Sequence, residues 1–135
     1  MRLVVNSNRI IASLIKNSYS RRIILHGKLD LLTINISEKE IQKYREYILK
    51  KSKITETQFN LILEKLKEKM ILLDDKIIES KMEEAKNIIS HIDDNDAPFI
   101  AAALATESDI WSDDKHFEKQ KKIKIWKTKD LTEYS

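Results

Sequence analysis

Asp93 to Phe117 reads DDNDAPFIAAALATESDIWSDDKHF, and its parts decide what kind of fold the chain can build. Carboxylates gather where an apolar helix begins at Pro98, whose missing N–H costs nothing in a first turn. A short hydrophobic strand over Asp109 to Ser112 follows. A second carboxylate pair, Asp113 and Asp114, stands where that strand should end. In an open α/β sheet, strand ends and helix starts meet along one edge, and ligands bind there. Such an edge can collect acidic side chains from distant positions, and a pocket of carboxylates suits a hard divalent cation such as Mg²⁺ or Mn²⁺.

Working outward, the remaining elements alternate between the two hydrophobic periods. Leu3-Val4-Val5 reads as a strand, and Ile10, Ile11, Leu14 and Ile15 mark a helix after it. A short helix around Arg21 to Leu25 can be closed by Gly27. Leu31 to Ile36 fits a second strand. Ser37-Glu38-Lys39-Glu40 has the form of a capping box opening a helix whose apolar face is Ile41, Tyr44 and Ile48, and Thr55-Glu56-Thr57-Gln58 repeats that form before Phe59, Ile62, Leu63, Leu66 and Met70. These two helices are expected to form a hairpin. Met70 to Leu73 is a brief apolar run suited to a strand or an extended connection, and Ile78, Met82, Ala85 and Ile88 or Ile89 mark one more helix. Ile123 to Lys127 completes the strands, with short helices near Asp114 and after Thr128. Strands separated by helices imply parallel pairing through right-handed crossovers, hence an α/β sheet with helices on both faces.

Composition removes several functions. The 135 residues suit one domain spanning 1–135. With no cysteine there is no disulfide, thiolate nucleophile or thiolate zinc site, which suits a reducing, cytoplasmic setting. The one glycine, Gly27, excludes the P-loop and the G-x-G-x-x-G turn, both of which need several glycines for close backbone approach to phosphate. No apolar run approaches the roughly 18 residues that cross a bilayer, so no membrane role is expected.

Four pieces, VVNSNRIIASLI at the start, Glu40 in EIQKY, DDNDAPFIAAAL and IWSDDKHF, resemble the PIN domain family in their order and approximate spacing. The resemblance spans essentially the whole chain. It implies a three-layer αβα fold around a central parallel β-sheet, and an acidic, Mg²⁺- or Mn²⁺-dependent ribonuclease site. Many such proteins are similar to VapC-type toxins, homodimers held inactive by a small antitoxin protein. The same resemblance implies Glu40, Asp96 and Asp114 as the acidic catalytic and metal-binding residues. The family's first acid, in a D-(S/T)-N pattern, falls on Asn6, followed by Ser7 and Asn8. Asn6 offers a metal a carbonyl oxygen but no charge. Asn8, Asp93, Ser112 and Asp113 are expected in support, orienting the ligands as outer-shell groups do. RNA phosphates would meet Arg9, Lys115, Lys119 and the lysines that follow, Lys121, Lys122, Lys124, Lys127 and Lys129, with Arg21 and Arg22 as secondary candidates.

Taken singly, each residue has a purely structural explanation. Glu40 can complete a capping box, Asp96 can cap the helix after it, and the Asp113-Asp114 pair can end a strand. His26, His91 and His116 show no ligand spacing and are expected to be surface or packing residues. Trp111 is expected in the sheet, and Trp126 and Tyr134 in the core, at a dimer contact or stacked on bases. Two function classes therefore stand, a metal-dependent endoribonuclease and a PIN-like module with a weakened site that binds RNA or protein; a DNA nuclease acting on flaps would share the chemistry but needs a larger substrate-gripping apparatus. A chain this short seats such an apparatus poorly.

Overall fold

The computed structural model describes residues 1–89 and 93–135. Its frame is an all-parallel five-stranded sheet, built from β1 (Arg2–Val5), β2 (Asp30–Thr33), β3 (Met70–Leu72), β4 (Asp109–Trp111) and β5 (Ile125–Trp126) in the order β3-β2-β1-β4-β5. Parallel sheets bury both faces, and the alternation of side chains along each strand divides the apolar residues into two cores. Leu3, Val5, Leu31, Met70 and Trp111 face one side, where they pack against α1 (Ser7–Ile15), α2 (Tyr19–His26), α4 (Arg45–Ser52) and α5 (Glu56–Glu68). Val4, Leu32 and Ile110 face the other, against α6 (Asp75–Glu79), α7 (Met82–Ile89) and α8 (Ala97–Thr106). The expected three-layer αβα architecture is the observed one. His91 lies outside the described residues.

Local chemistry explains most boundaries. Gly27 closes α2 in the left-handed region at φ 68°, and Pro98 sits in the first turn of α8. The capping box at Thr55 forms in full: Gln58 N–H donates to Thr55 Oγ1 (3.1 Å) and Thr55 N–H donates to Gln58 Oε1 (2.9 Å). The one expected at Ser37 does not. The helix α3 (Asn35–Lys43) starts straight from the end of β2 with Ile34 at its cap position and no side-chain cap. Ser37 is therefore inside the helix, fully buried, and shares a 2.8 Å hydrogen bond with Ser7 Oγ on α1. Two small side chains let the helices approach, and their hydroxyls satisfy each other. Glu40 is thereby released from capping.

Three further expectations are corrected. The second strand stops at Thr33, before Ile36. The helix expected from Ile41 to Ile48 breaks at Tyr44, so that Ile41 and Ile48 are buried while Tyr44 turns outward. The helix expected around Ile78 to Ile89 is divided at Ser80 and Lys81 into α6 and α7, each with its own buried residues.

Replacing Ser37 with Val would crowd the α1–α3 contact and leave the Ser7 hydroxyl buried without its partner. The expected loss is about 1–3 kcal/mol in urea denaturation, against about 1 kcal/mol for removing the exposed cap with Thr55→Ala.

Candidate metal centre

The sheet changes direction of growth at β1, which has β2 on one side and β4 on the other. The crevice at the carboxyl ends of β1 and β4 is the topological switch point. Asn6 N–H donates to the Trp111 carbonyl (3.0 Å), so the two chain exits leave the sheet side by side. An open cleft of about 270 Å³ lies there, lined by Asn6, Asn8, Glu40, Lys43, Tyr44, Asn95, Asp96, Phe99 and Asp114. The four positions expected to form the site, Asn6, Glu40, Asp96 and Asp114, thus meet in one cleft from the exit of β1, from α3, from the cap of α8 and from the exit of β4.

Each side chain is set by local structure. Asn6 is buried and caps α1, its Oδ1 accepting from Asn8 N–H (3.0 Å). Asp96 occupies the cap position of α8 but makes no side-chain cap bond, because Asp93 takes that work one turn earlier by accepting from Asn95 N–H (2.9 Å) ahead of the 3-10 turn Asp94–Asp96. Asp96 therefore faces the cleft with 14% of its side chain exposed. Its Oδ2 is buried and has no hydrogen-bond partner. Asp114 Oδ1 accepts from His116 N–H (2.9 Å), and its own N–H donates to Ser112 Oγ (3.0 Å), so Ser112 fixes the loop that presents it.

His116, expected as an ordinary surface residue, stands inside this group. Its Nδ1 lies 3.9 Å from Asp96 Oδ2 and 3.6 Å from Asp114 Oδ1. Ligand atoms from Asp93, Asp96 and His116 lie within 4.8 Å of one another. The carboxyl of Asp96 is pushed up to about 6, first by burial and then by the charges of Asp114, Asp93 and Glu40, with His116 opposing. A buried, unpartnered oxygen among like charges is the arrangement a divalent cation relieves, so these residues fit one.

A family description, the PIN domain, matches residues 4–135. The chain belongs to the PIN domain family. Among solved structures it is similar to VapBC2 from Rickettsia felis, crystallised with a DNA fragment from their promoter: TM-score 0.70, 16% identity, 94% of this chain and 98% of that one covered. Likeness at that identity speaks for the fold. No curated protein matches. As a PIN domain the chain is a member of a nuclease family whose sites generally use divalent metal.

Other expected positions lie outside the cleft of this PIN domain. Asp113 points away from Asp114, because neighbouring residues at a strand exit take opposite directions. It accepts from Thr128 N–H (2.7 Å) and Thr128 Oγ1 (2.8 Å) and pairs with Arg9 Nη1 at 2.7 Å. Arg9 also donates to Ser20 and Thr128. Both residues brace the site from behind, and the guanidinium is engaged there rather than offered to a phosphate. Lys115 and Lys119 are exposed on the 3-10 turn Lys115–Lys119 and do not line the cleft. Lys43, Tyr44, Asn95 and Phe99 line it without having been expected. Trp111 is buried with its Nε1 donating to Thr128, and Trp126 Nε1 donates to Asp109 Oδ2.

Because folding raises the Asp96 pKa, that group's contribution is fully present below its unfolded value and is lost as pH rises through about 6. With chelator present, Asp96→Asn should match wild type near pH 4 and exceed it near neutral pH by about 1–2 kcal/mol, screened by solvent at the cleft mouth. Mn²⁺ should reverse that order in thermal denaturation, raising the melting temperature of wild type and leaving Asp96→Asn unmoved.

Proposed function

We propose that this PIN domain is a Mg²⁺- or Mn²⁺-dependent endoribonuclease, and that it works as the toxin of a toxin–antitoxin pair. The observation that carries the reading is the buried, unpartnered Asp96 Oδ2 at the switch point, with Asp114, Asp93 and His116 around it. Asp96 and Asp114 would hold the ion, with Glu40 and the Asn6 carbonyl oxygen reaching in from the facing elements. The ion would supply charge stabilisation at a phosphate and acidity to a water molecule.

The chain's own groups do the rest. Glu40 is free of capping and carries a proton acceptor on the α3 wall, where it orients the attacking water. Asp114 is held rigid by Ser112 and by its bond to His116 N–H, which keeps the second acid at a fixed distance from the first. Phe99, buried beside Asp96, excludes water from the cleft floor. The product of such a hydrolysis carries a 5′-phosphate. The likeness to a VapBC complex supports a small antitoxin protein as partner.

Asn6 defines a second reading, a PIN module that binds RNA or protein without cutting efficiently. An acid at this position would keep the cap on α1, since Asn and Asp serve equally there, and would add charge facing the ion. A charge pair at about 4 Å has a gross value of roughly 4 kcal/mol at an effective dielectric of about 20, reduced by repulsion among the carboxylates of the empty site.

RNA cleavage in Mg²⁺ and in Mn²⁺, compared across wild type, Asn6→Asp and Asp96→Ala, separates the readings. Wild type should cut, Asn6→Asp should cut faster and bind Mn²⁺ about tenfold more tightly in calorimetry, and Asp96→Ala should lose at least about a hundredfold. Cleavage unaffected by Asp96→Ala would sink the nuclease reading. Wild type silent in saturating Mn²⁺, with RNA binding unchanged in Asp96→Ala, would select the binding module.

A further inference from the structure

The break between α3 and α4 brings chemistry to the cleft that the acids do not explain. Lys43 ends α3, Arg45 begins α4, and Tyr44 between them has φ −98° and ψ 12°. Lys43 and Tyr44 line the cleft together with Asn6, Glu40, Asp96 and Asp114. The Lys43 Nζ lies 5.5 Å from the centre of the Tyr44 ring. Beyond them, α4 buries Ile48 and turns Tyr47, Lys50 and Lys51 outward. Tyr47, Lys50, Lys51 and Lys53 line the next depression along the helix. Tyr44 is 44% exposed and Tyr47 is 56% exposed.

The spacing makes one stripe. Residues three and four apart on a helix are neighbours, with Cβ atoms about 5–6 Å apart, so Tyr47, Lys50 and Lys51 share the outward face of α4, and Lys43 and Tyr44 precede them at the break, on the lining of the cleft. Arg45 belongs to the protein, lying over the Phe59 ring and donating to Asn60. Lys43, Lys50, Lys51 and Lys53 form no ion pair among the described residues. Against these four cations the stretch from Lys43 to Lys53 carries one acid, Glu46.

We propose that this stripe is the track for single-stranded RNA leading into the cleft, with Tyr44 and Tyr47 stacking unpaired bases and Lys43, Lys50 and Lys51 taking phosphates. The proposal rests on the ribonuclease reading and names the substrate form. Aromatic faces are open only to bases that are not paired, and unpaired cations suit a polyanion. An acidic cleft repels phosphate, so a cationic approach beside it is what holds the strand near the carboxylates. Continuity with the cleft sets the direction: the scissile phosphate lies beside Asp96, and the flanking nucleotides lie along α4.

Fluorescence anisotropy with a fluorescein-labelled RNA of about a dozen nucleotides, in Ca²⁺ and across a salt series, tests this. Tyr47→Ala should weaken binding about tenfold, Tyr47→Phe should stay within about twofold of wild type, and Lys50→Ala with Lys51→Ala should lower the salt slope by about 1.4. Mn²⁺ affinity in calorimetry should be the same for Tyr47→Ala and wild type. A duplex of the same sequence should bind more weakly and ignore the tyrosine change. Cleavage by wild type together with unchanged single-strand binding by Tyr47→Ala, or a duplex bound as tightly as the single strand, would overturn the track and leave the ribonuclease reading standing. No RNA binding by wild type would overturn both.

Discussion

The hydrogen bond from Asn6 N–H to the Trp111 carbonyl is small, yet the site depends on it. It is the last rung between β1 and β4, placed where the sheet reverses its order of growth. Because it holds the two chain exits together, α1 starts beside the loop that carries Asp114. The start of α3 is then fixed by the paired hydroxyls of Ser7 and Ser37, and α8 by the apolar core under Phe99 and Ile100. Glu40, Asp96 and Asp114, the outer two 74 residues apart in sequence, therefore share one cleft.

Holding them there has an electrostatic cost. Asp96 is buried against Asp114, Asp93 and Glu40, and its raised pKa records first that burial and then the repulsion. The first-turn N–H groups of α8 offset part of it, and His116 offsets more. What remains is a fold strained at one point toward a cation. Stability and ligand affinity draw on the same repulsion: whatever relieves it in the empty protein leaves less for an ion to relieve.

Much of this was legible in the chain. Strand and helix periods, the glycine at 27 and the proline at 98 each act within a few residues, so the layer order and most elements follow from them. The acids were legible because they stand at element ends, where sheet topology must bring them together. Ser37 was misread because S-x-x-E is also what a close helix contact followed by a functional acid looks like; only the run of β2 directly into α3 distinguishes them. His116 left no signal, being separated from Asp93 and Asp96 by all of α8 and β4. Adjacent Asp113 and Asp114 could not be told apart by type, only by the alternating directions of a strand exit. The exposure of Tyr44 depends on a helix break that neither glycine nor proline marks.

Arg9, Asp113 and Thr128 sit behind the acids and touch no substrate position, yet each holds the other two. Their consequence lies in descent rather than chemistry. Losing the guanidinium strands the aspartate, and losing the aspartate strands a guanidinium whose Nε already lacks a partner. Single changes at these positions are therefore disfavoured where paired changes are tolerated. Across related chains the trio is expected to change together, and such co-variation would record contact rather than catalysis.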